Sequence, residues 1–295
     1  MNILYLVFGD VQIYYSQAYF SICTFLNQMD ESDQIFVMTD SPDFYRRFGD
    51  KVGIILLNQD QLNEWKGKYN YLFRTKIKAI QFISELYPDK SLLYLDSDTL
   101  LFADLKLLKQ KLNRPVMHLR EGALSELKSK TIKTLWQKIK GRKFGNIEIQ
   151  NTHAMWNAGV VGIPAHKGSD ITNLALNICD EILEENVGKW VVEQLSFSIA
   201  QSENGNLSPV DDFIGHYWSN KEEWNEAIQQ FMLNSFLKNN TLQDDIDTIS
   251  AFDFSKIAIS KRTPNTQIRL KKLITKWFPS EDKGFIDASG NRQIS

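Results

Sequence analysis

The sequence predicts an α/β protein: a mostly parallel, Rossmann-like central sheet with helices on both faces. Three observations carry that expectation. Short, continuous apolar runs recur through the first 115 positions and suit strands covered on both faces. Amphipathic segments with helical spacing lie between them, the alternation that crossover connections require. A chain of 295 residues, 43% hydrophobic, is also long enough to bury such a core without covalent staples.

The elements follow in order. Ile3 to Phe8 is the first strand and ends in Gly9-Asp10. Tyr15, Ala18, Tyr19, Ile22, Phe25 and Leu26 mark a helix over residues 14–28. Gln34 to Met38 is the second strand; it ends in Thr39-Asp40-Ser41-Pro42, where Pro42 is suited to open a helix. Val52 to Leu57 is the third strand. An amphipathic helix over 73–87 runs through Ile77, Ile80, Phe82, Ile83 and Leu86 and is closed by Pro88. Ser91 to Leu95 is the fourth strand and leads straight into Asp96-Ser97-Asp98. Pro115 to Met117 and Trp156 to Pro164 read as further strands, with helices near 171–186 and 190–201. A turn-rich stretch over 202–212 leads to Ile214-Gly215-His216-Tyr217-Trp218, and from Lys221 the pattern is helical and polar. The expected division is one domain over 1–225 and a helical, basic C-terminal extension over 226–295.

Charge totals exclude little on their own, since 34 Lys+Arg nearly balance 36 Asp+Glu. Cys23 and Cys179 belong to no CxxC or Cys/His cluster, which argues against a disulfide framework and a structural zinc site. They read as small buried hydrophobes in a reducing compartment. No basic stretch precedes the short Ile3 to Phe8 run, and no segment approaches the roughly 18 apolar residues of a spanning helix. A cytoplasmic protein is the expectation. Two segments, 128–143 and 256–278, concentrate lysine and arginine without an acid. They suit peripheral contact with an anionic membrane; the alternative is a solvated helix packing its apolar side on the domain. No nucleic-acid recognition motif is present.

Ligands of parallel sheets bind outside the carboxyl ends of the strands, which directs attention to Gly9-Asp10, Thr39-Asp40 and Asp96 to Asp98. Residues two apart in a strand point the same way, so Asp96 and Asp98 set two carboxylates side by side at the end of a buried strand. Their repulsion is relieved by a hard divalent cation, which keeps sites open for phosphate oxygens.

The run Leu93-Tyr94-Leu95-Asp96-Ser97-Asp98-Thr99-Leu100 resembles the nucleotide-sugar transferases of the GT-A fold, most closely glycosyltransferase family 8 and its bacterial relatives. Four further features agree in order over roughly residues 1–225. They are Arg74, Lys76 and Lys78 on the preceding helix, Trp156-Asn157-Ala158-Gly159, Glu193-Gln194, and His216 to Lys221 with Trp224 beyond. Ser219 and Glu193 depart from the family's usual Gly and Asp.

The resemblance implies a metal held by Asp98, Asp96 and His216, with Asp96 alternatively on the donor's ribose. Imidazole beside carboxylates favours Mn2+, with Mg2+ as the alternative. Lys221 would hold the leaving diphosphate, while Gly9, Asp10, Thr39 and Asp40 would contact the base and ribose. Asn157 and Gln194 would reach the sugars, with Ser97, Ala158 and Gly159 in the donor-binding motifs and Glu193 as supporting carboxylate. Glu193, Gln194 and Lys221 are thus the expected catalytic residues. Arg74 and Lys78 share one helix side and are assigned to the diphosphate; Lys76 does not share it and reads equally as a solvated lysine. Trp218 and Trp156 are candidate sugar platforms. The implied function is metal-dependent transfer of a sugar from a UDP-linked donor to a glycan or lipid-linked acceptor, with retention, at the cytoplasmic face of a membrane. Two alternatives stay open: a non-catalytic nucleotide- or glycan-binding relative, and a nucleotidyltransferase. The latter needs a glycine-rich basic phosphate loop, which Phe8-Gly9-Asp10-Val11-Gln12 is not.

Overall fold

Strands and helices alternate as the sequence predicts through β1 (Asn2–Val7), α1 (Gln12–Leu26), β2 (Gln34–Thr39), a 3-10 helix opened by Pro42 (Pro42–Lys51) and β3 (Val52–Leu56). They continue with α2 (Gln59–Lys66), α3 (Arg74–Leu86), β4 (Leu92–Leu95), β5 (Thr99–Leu101) and α4 (Leu105–Lys111). Next come β6 (Val116–Met117), β7 (Arg120–Ala123), α5 (Lys130–Ile139), β8 (Lys143–Phe144), β9 (Ile147–Glu148) and β10 (Ala154–Trp156). Then follow β11 (Val160–Ile163), α6 (Gly168–Glu184), α7 (Val192–Glu203), β12 (Ser208–Pro209), β13 (Ile214–His216), α8 (Lys221–Leu237) and α9 (Leu242–Ser250). This computed structural model describes residues 1–186, 188–261, 265–277, 284–286 and 292–294. It divides into units Met1–Ile259 and Ser260–Ser295; the second holds α10 (Asn265–Trp277), β14 (Gly284–Ile286) and β15 (Arg292–Ile294).

The central sheet has seven strands in the order β12-β6-β11-β4-β1-β2-β3. Every pairing is parallel except those of β11 with β4 and β6. Its central strands, β1, β4 and β11, are largely apolar on both faces because both faces are covered. Ile3, Tyr5 and Val7 of β1 face a core shared with α1, α8 and α9, while Leu4 faces a core shared with α3, α6 and α7. The same alternation holds for Ile35 and Val37 against Phe36 and Met38, and for Leu93 and Leu95 against Leu92 and Tyr94. Pairing of Tyr5 with Leu95 and of Val7 with Thr39 aligns the carboxyl ends of β1, β2 and β4 along one edge.

One buried carboxylate ties the later helices to this frame. Asp245 of α9 accepts hydrogen bonds from Tyr19 Oη (2.8 Å), Arg47 Nη1 (2.9 Å), Ser235 Oγ (2.9 Å) and Asn240 Nδ2 (3.0 Å). A buried charge is stable only when its lone pairs are used in this way, so α1, the 3-10 helix, α8 and α9 are held together.

The first basic segment contains α5, whose Ile132, Leu135 and Ile139 are buried in the core, leaving Lys130, Lys133 and Lys138 exposed. This is the packed, solvated helix that the sequence left as an alternative. In the second segment, Leu270, Leu273, Ile274 and Trp277 of α10 are exposed, while Arg262 and Phe278 lie outside the described residues. No helix among the described residues is long and apolar enough to cross a membrane.

Candidate active site

β4 ends at Leu95, and the chain turns through Asp96, Ser97 and Asp98 into β5, which begins at Thr99. β5 pairs antiparallel with β13, and the register Thr99 to His216 brings the distant histidine beside the carboxylates. One ligand atom from each of Asp96, Asp98 and His216 lies within 4.8 Å of the others. His216 Nε2 is 3.4 Å from Asp98 Oδ1.

The tautomer of His216 follows from its other nitrogen. Asn157 Oδ1 lies 3.0 Å from the amide of Gly159 and 2.9 Å from His216 Nδ1. The Gly159 amide can only donate, so the acceptor is the Asn157 oxygen, and His216 Nδ1 must carry the proton. Nε2 is therefore the ring atom presented to Asp98, the arrangement in which a ligating imidazole is oriented by a hydrogen bond behind it. Gly159 makes room for the ring: a Cβ there would lie 2.2 Å from His216 Cε1 and Nδ1. The Gly159 carbonyl also accepts the Asp96 amide at 2.8 Å. The Asn-x-Gly pattern thus supports the imidazole and the carboxylate turn.

Two lysines balance the acids. Lys221, first residue of α8, places Nζ 2.8 Å from Asp98 Oδ2. Lys76 of α3 is buried, with Nζ 3.0 Å from Asp96 Oδ1, 3.1 Å from Glu193 Oε1 and 3.0 Å from the Ala158 carbonyl. Burial pushes the Asp98 carboxyl up, but His216 and Lys221 outweigh it and hold the group well below the usual carboxylate range. Burial pushes Lys76 down, and Asp96 and Glu193 outweigh it, so the ammonium is retained. Burial raises the Glu193 carboxyl, which Lys76 offsets only in part. For Lys221 burial is likewise outweighed, by Asp98, and the shift is upward. Two carboxylates and an imidazole whose Nε2 faces them form a donor set that fits a divalent ion such as Mn2+ or Mg2+, which would take the place of a proton on Nε2.

A cleft of about 330 Å3 is lined by Lys76, Asp96, Ser97, Asp98 and Lys221, by Leu6, Val7 and Phe8 at the end of β1 and by Tyr14, Leu72, Phe73 and Tyr94. A second cavity of about 660 Å3 is lined by Gly9, Asp10, Gln12, Tyr15, Ser16, Ser41 and Phe44. Asp40 forms the link between the ends of β1 and β2. Its carboxylate accepts the Gly9 amide at 2.9 Å and the Tyr15 hydroxyl at 2.6 Å. Burial, with Asp40 beside it, pushes the Tyr15 phenol up to about 12. Thr39 is buried, and its hydroxyl accepts the Ser41 amide, so it shapes the turn from within.

Several predicted residues stand elsewhere or have other partners. Arg74 is committed to Asp180 by bonds of 2.8 and 2.9 Å and to the Trp65 carbonyl, and Lys78 to Gln81 Oε1 at 2.6 Å. Neither lines the cleft; Lys76 does. Ser97 donates its hydroxyl to Gln17 rather than facing the cleft unpartnered. Ala158 contributes its carbonyl to Lys76. Trp156 is buried and Trp218 is exposed. Gln194 is half-buried beside Glu193 in the first turn of α7.

One residue at the site escaped the sequence reading, and His118, which reads from sequence as a structural histidine, packs against the site. Tyr94 Oη donates to Asp96 Oδ1 at 2.9 Å, and its position two residues before Asp96 in a strand was a usable signal. His118 is buried edge-on to His216, with ring centroids 5.3 Å apart and Nε2 2.9 Å from the Ile214 carbonyl. Burial and the neighbouring His216 push it down to about 4.

No family model matches the chain, and neither does any curated protein. Among solved structures, the galactosyltransferase LgtC in complex with donor and acceptor sugar analogs is similar over 70% of this chain and 73% of that one. The identity is 14% and the TM-score 0.48. An active-site mutant of LgtC is similar over 71% of this chain and 72% of its own, at 14% identity and TM-score 0.47. The apo form of the bifunctional glycosyltransferase WbbM is similar over 71% of this chain and 38% of its own, at 13% identity and TM-score 0.44.

Proposed function

We propose that the chain is a divalent-metal-dependent glycosyltransferase that moves a sugar from a UDP-linked donor to a glycan or lipid-linked acceptor with retention. The observation that carries the reading is the convergence of Asp96, Asp98 and His216 on one point, with Lys221 on Asp98, beside a cleft at the carboxyl ends of the parallel strands that both carboxylates and Lys221 line. Breaking the donor's C1–O bond passes through an oxocarbenium-like state while negative charge builds on the diphosphate. Positive charge placed at that oxygen stabilises the transition state more than the ground state. Lys221 supplies a point charge at the start of a 17-residue helix whose dipole has the same sign there. A cation held by Asp96, Asp98 and His216 would add Lewis-acid charge at the same place. Lys76 fixes Asp96 and Glu193 relative to each other, and Gln194 follows in the same helical turn. The cavity bounded by Gly9, Asp10 and Tyr15 is of the size and polarity to take a base and ribose.

The acid-free basic segment 256–278 supports work at the cytoplasmic face of an anionic membrane. In α10 the exposed Leu270, Leu273, Ile274 and Trp277 recur at helical spacing in a sequence rich in lysine. The reading is tested by Mn2+-dependent hydrolysis of UDP-sugars: Asp98→Ala abolishes it, and undiminished turnover in that variant overturns the assignment.

A further inference from the structure

Ser97 lies between the two carboxylates, and its hydroxyl faces backward. Oγ donates to Gln17 Oε1 at 3.0 Å, and Gln17 Nε2 donates to Asn225 Oδ1 at 2.6 Å. Gln17 sits on α1 with no exposed surface. A primary amide is costly to bury unless both of its ends are bonded, and here both are used between two other elements. Asn225 is one helical turn beyond Lys221 on α8, and Lys221 reaches Asp98 at 2.8 Å. The contacts close a circuit: Asp98 to Lys221, one turn to Asn225, through Gln17 to Ser97, and back along the chain to Asp98.

We propose that Gln17 is a positioning residue that locks the Asp-Ser-Asp turn to the start of α8, so that the carboxylates and Lys221 keep one fixed spacing. The inference rests on the reading of Asp96, Asp98 and His216 as a cation site. Ser97 is joined covalently to both carboxylates, so slack in its hydroxyl anchor is transmitted to both. An apolar residue at position 17 would fill the same volume and cut the link. Outer partners that orient metal ligands are worth about tenfold or more in metal affinity.

The test is Mn2+ titration of the full chain without nucleotide, followed by electron paramagnetic resonance, beside thermal melting. Gln17→Leu and Asn225→Ala cut the link from opposite ends. Each is expected to weaken Mn2+ binding about tenfold. The double variant should lose no more, because one link is cut once. Asn225→Asp should retain wild-type binding, since a carboxylate still accepts from the Gln17 amide. If Gln17→Leu does not melt cooperatively, the half-exposed Asn225→Ala carries the test. Unchanged Mn2+ binding in the severed variants, or additive losses in the double, overturns the lock alone. A wild-type chain that binds no Mn2+ overturns the cation site and the lock with it.

Discussion

Adding one methyl group at Gly159 tests the whole His216 arrangement. A Cβ there would stand 2.2 Å from His216 Cε1 and Nδ1 and 2.8 Å from Nε2, well inside van der Waals contact. The imidazole is buried and hydrogen-bonded to Asn157, so it cannot swing clear without breaking that bond. Overpacking of this kind costs about 1–3 kcal/mol of stability, and the lost hydrogen bond about 1 kcal/mol more. Those figures describe the metal-free protein. The discriminating quantity is the further stabilisation by Mn2+: at a concentration 100 times its Kd, the ion adds about 2.7 kcal/mol to the wild type. A variant whose Kd rises about 100-fold with loss of an oriented ligand gains only about 0.4 kcal/mol at the same concentration. Denaturant unfolding of wild type and Gly159→Ala, with and without Mn2+, measures both. If Gly159→Ala keeps the full Mn2+ increment, His216 is not a ligand and the argument from Asn157 and Gly159 fails.

Lys76→Ala strands the buried Glu193 and leaves Asp96 without its partner, and is expected to cost about 3–5 kcal/mol by urea unfolding. The pair Lys76→Met with Glu193→Gln should recover much of it, and no recovery would mean that packing rather than charge decides. Arg74→Met should lower stability by about 1–2 kcal/mol through loss of the Asp180 pairing. UDP affinity by calorimetry should stay at the wild-type value in that variant; a lost affinity would return Arg74 to the donor site. Burial raises both thiols, so a thiol reagent at neutral to mildly alkaline pH should modify neither Cys23 nor Cys179 until the protein unfolds. The folded protein keeps those protons where the unfolded chain releases them, so raising the pH above the ordinary thiol range of about 8.5 should reduce stability.

Much of this was legible in the residues themselves. β1 and β4 were readable because burial on both faces leaves β1 apolar from Ile3 onward and β4 apolar throughout, and Asp96 and Asp98 stood out against that background. The charged residues of α3 show where such reading stops. Spacing gives which side chains share a side of a helix, but not which side meets the site. Arg74 and Lys78 do share one, and Lys76 is the residue turned inward beside Ile77 and Ile80. A lysine on a buried side contradicts hydropathy, and only the facing Asp96 and Glu193 make it tolerable; those lie far along the chain. His216 carried no local signal beyond the family resemblance, because its partner strand β5 is three residues long. β8, β9 and β12 are two residues each, too short for any period to show. The burial of α5 was different: Ile132, Leu135 and Ile139 already stood at helical spacing, and the lysines around them drew attention away.

The single reversed strand, β11, decides which part of its neighbourhood can vary. Running against β4, it offers His216 and Asp96 its beginning, Asn157 to Gly159, where a parallel strand would have offered its exit at Pro164. The segment before β11 therefore has a fixed length, because one added residue would slide Asn157 off His216 and the Gly159 carbonyl off the Asp96 amide. The segment after Ile163 meets no such constraint. Insertions that natural variation or design might add belong on that far edge, remote from the carboxylates, and not on the short span that feeds them.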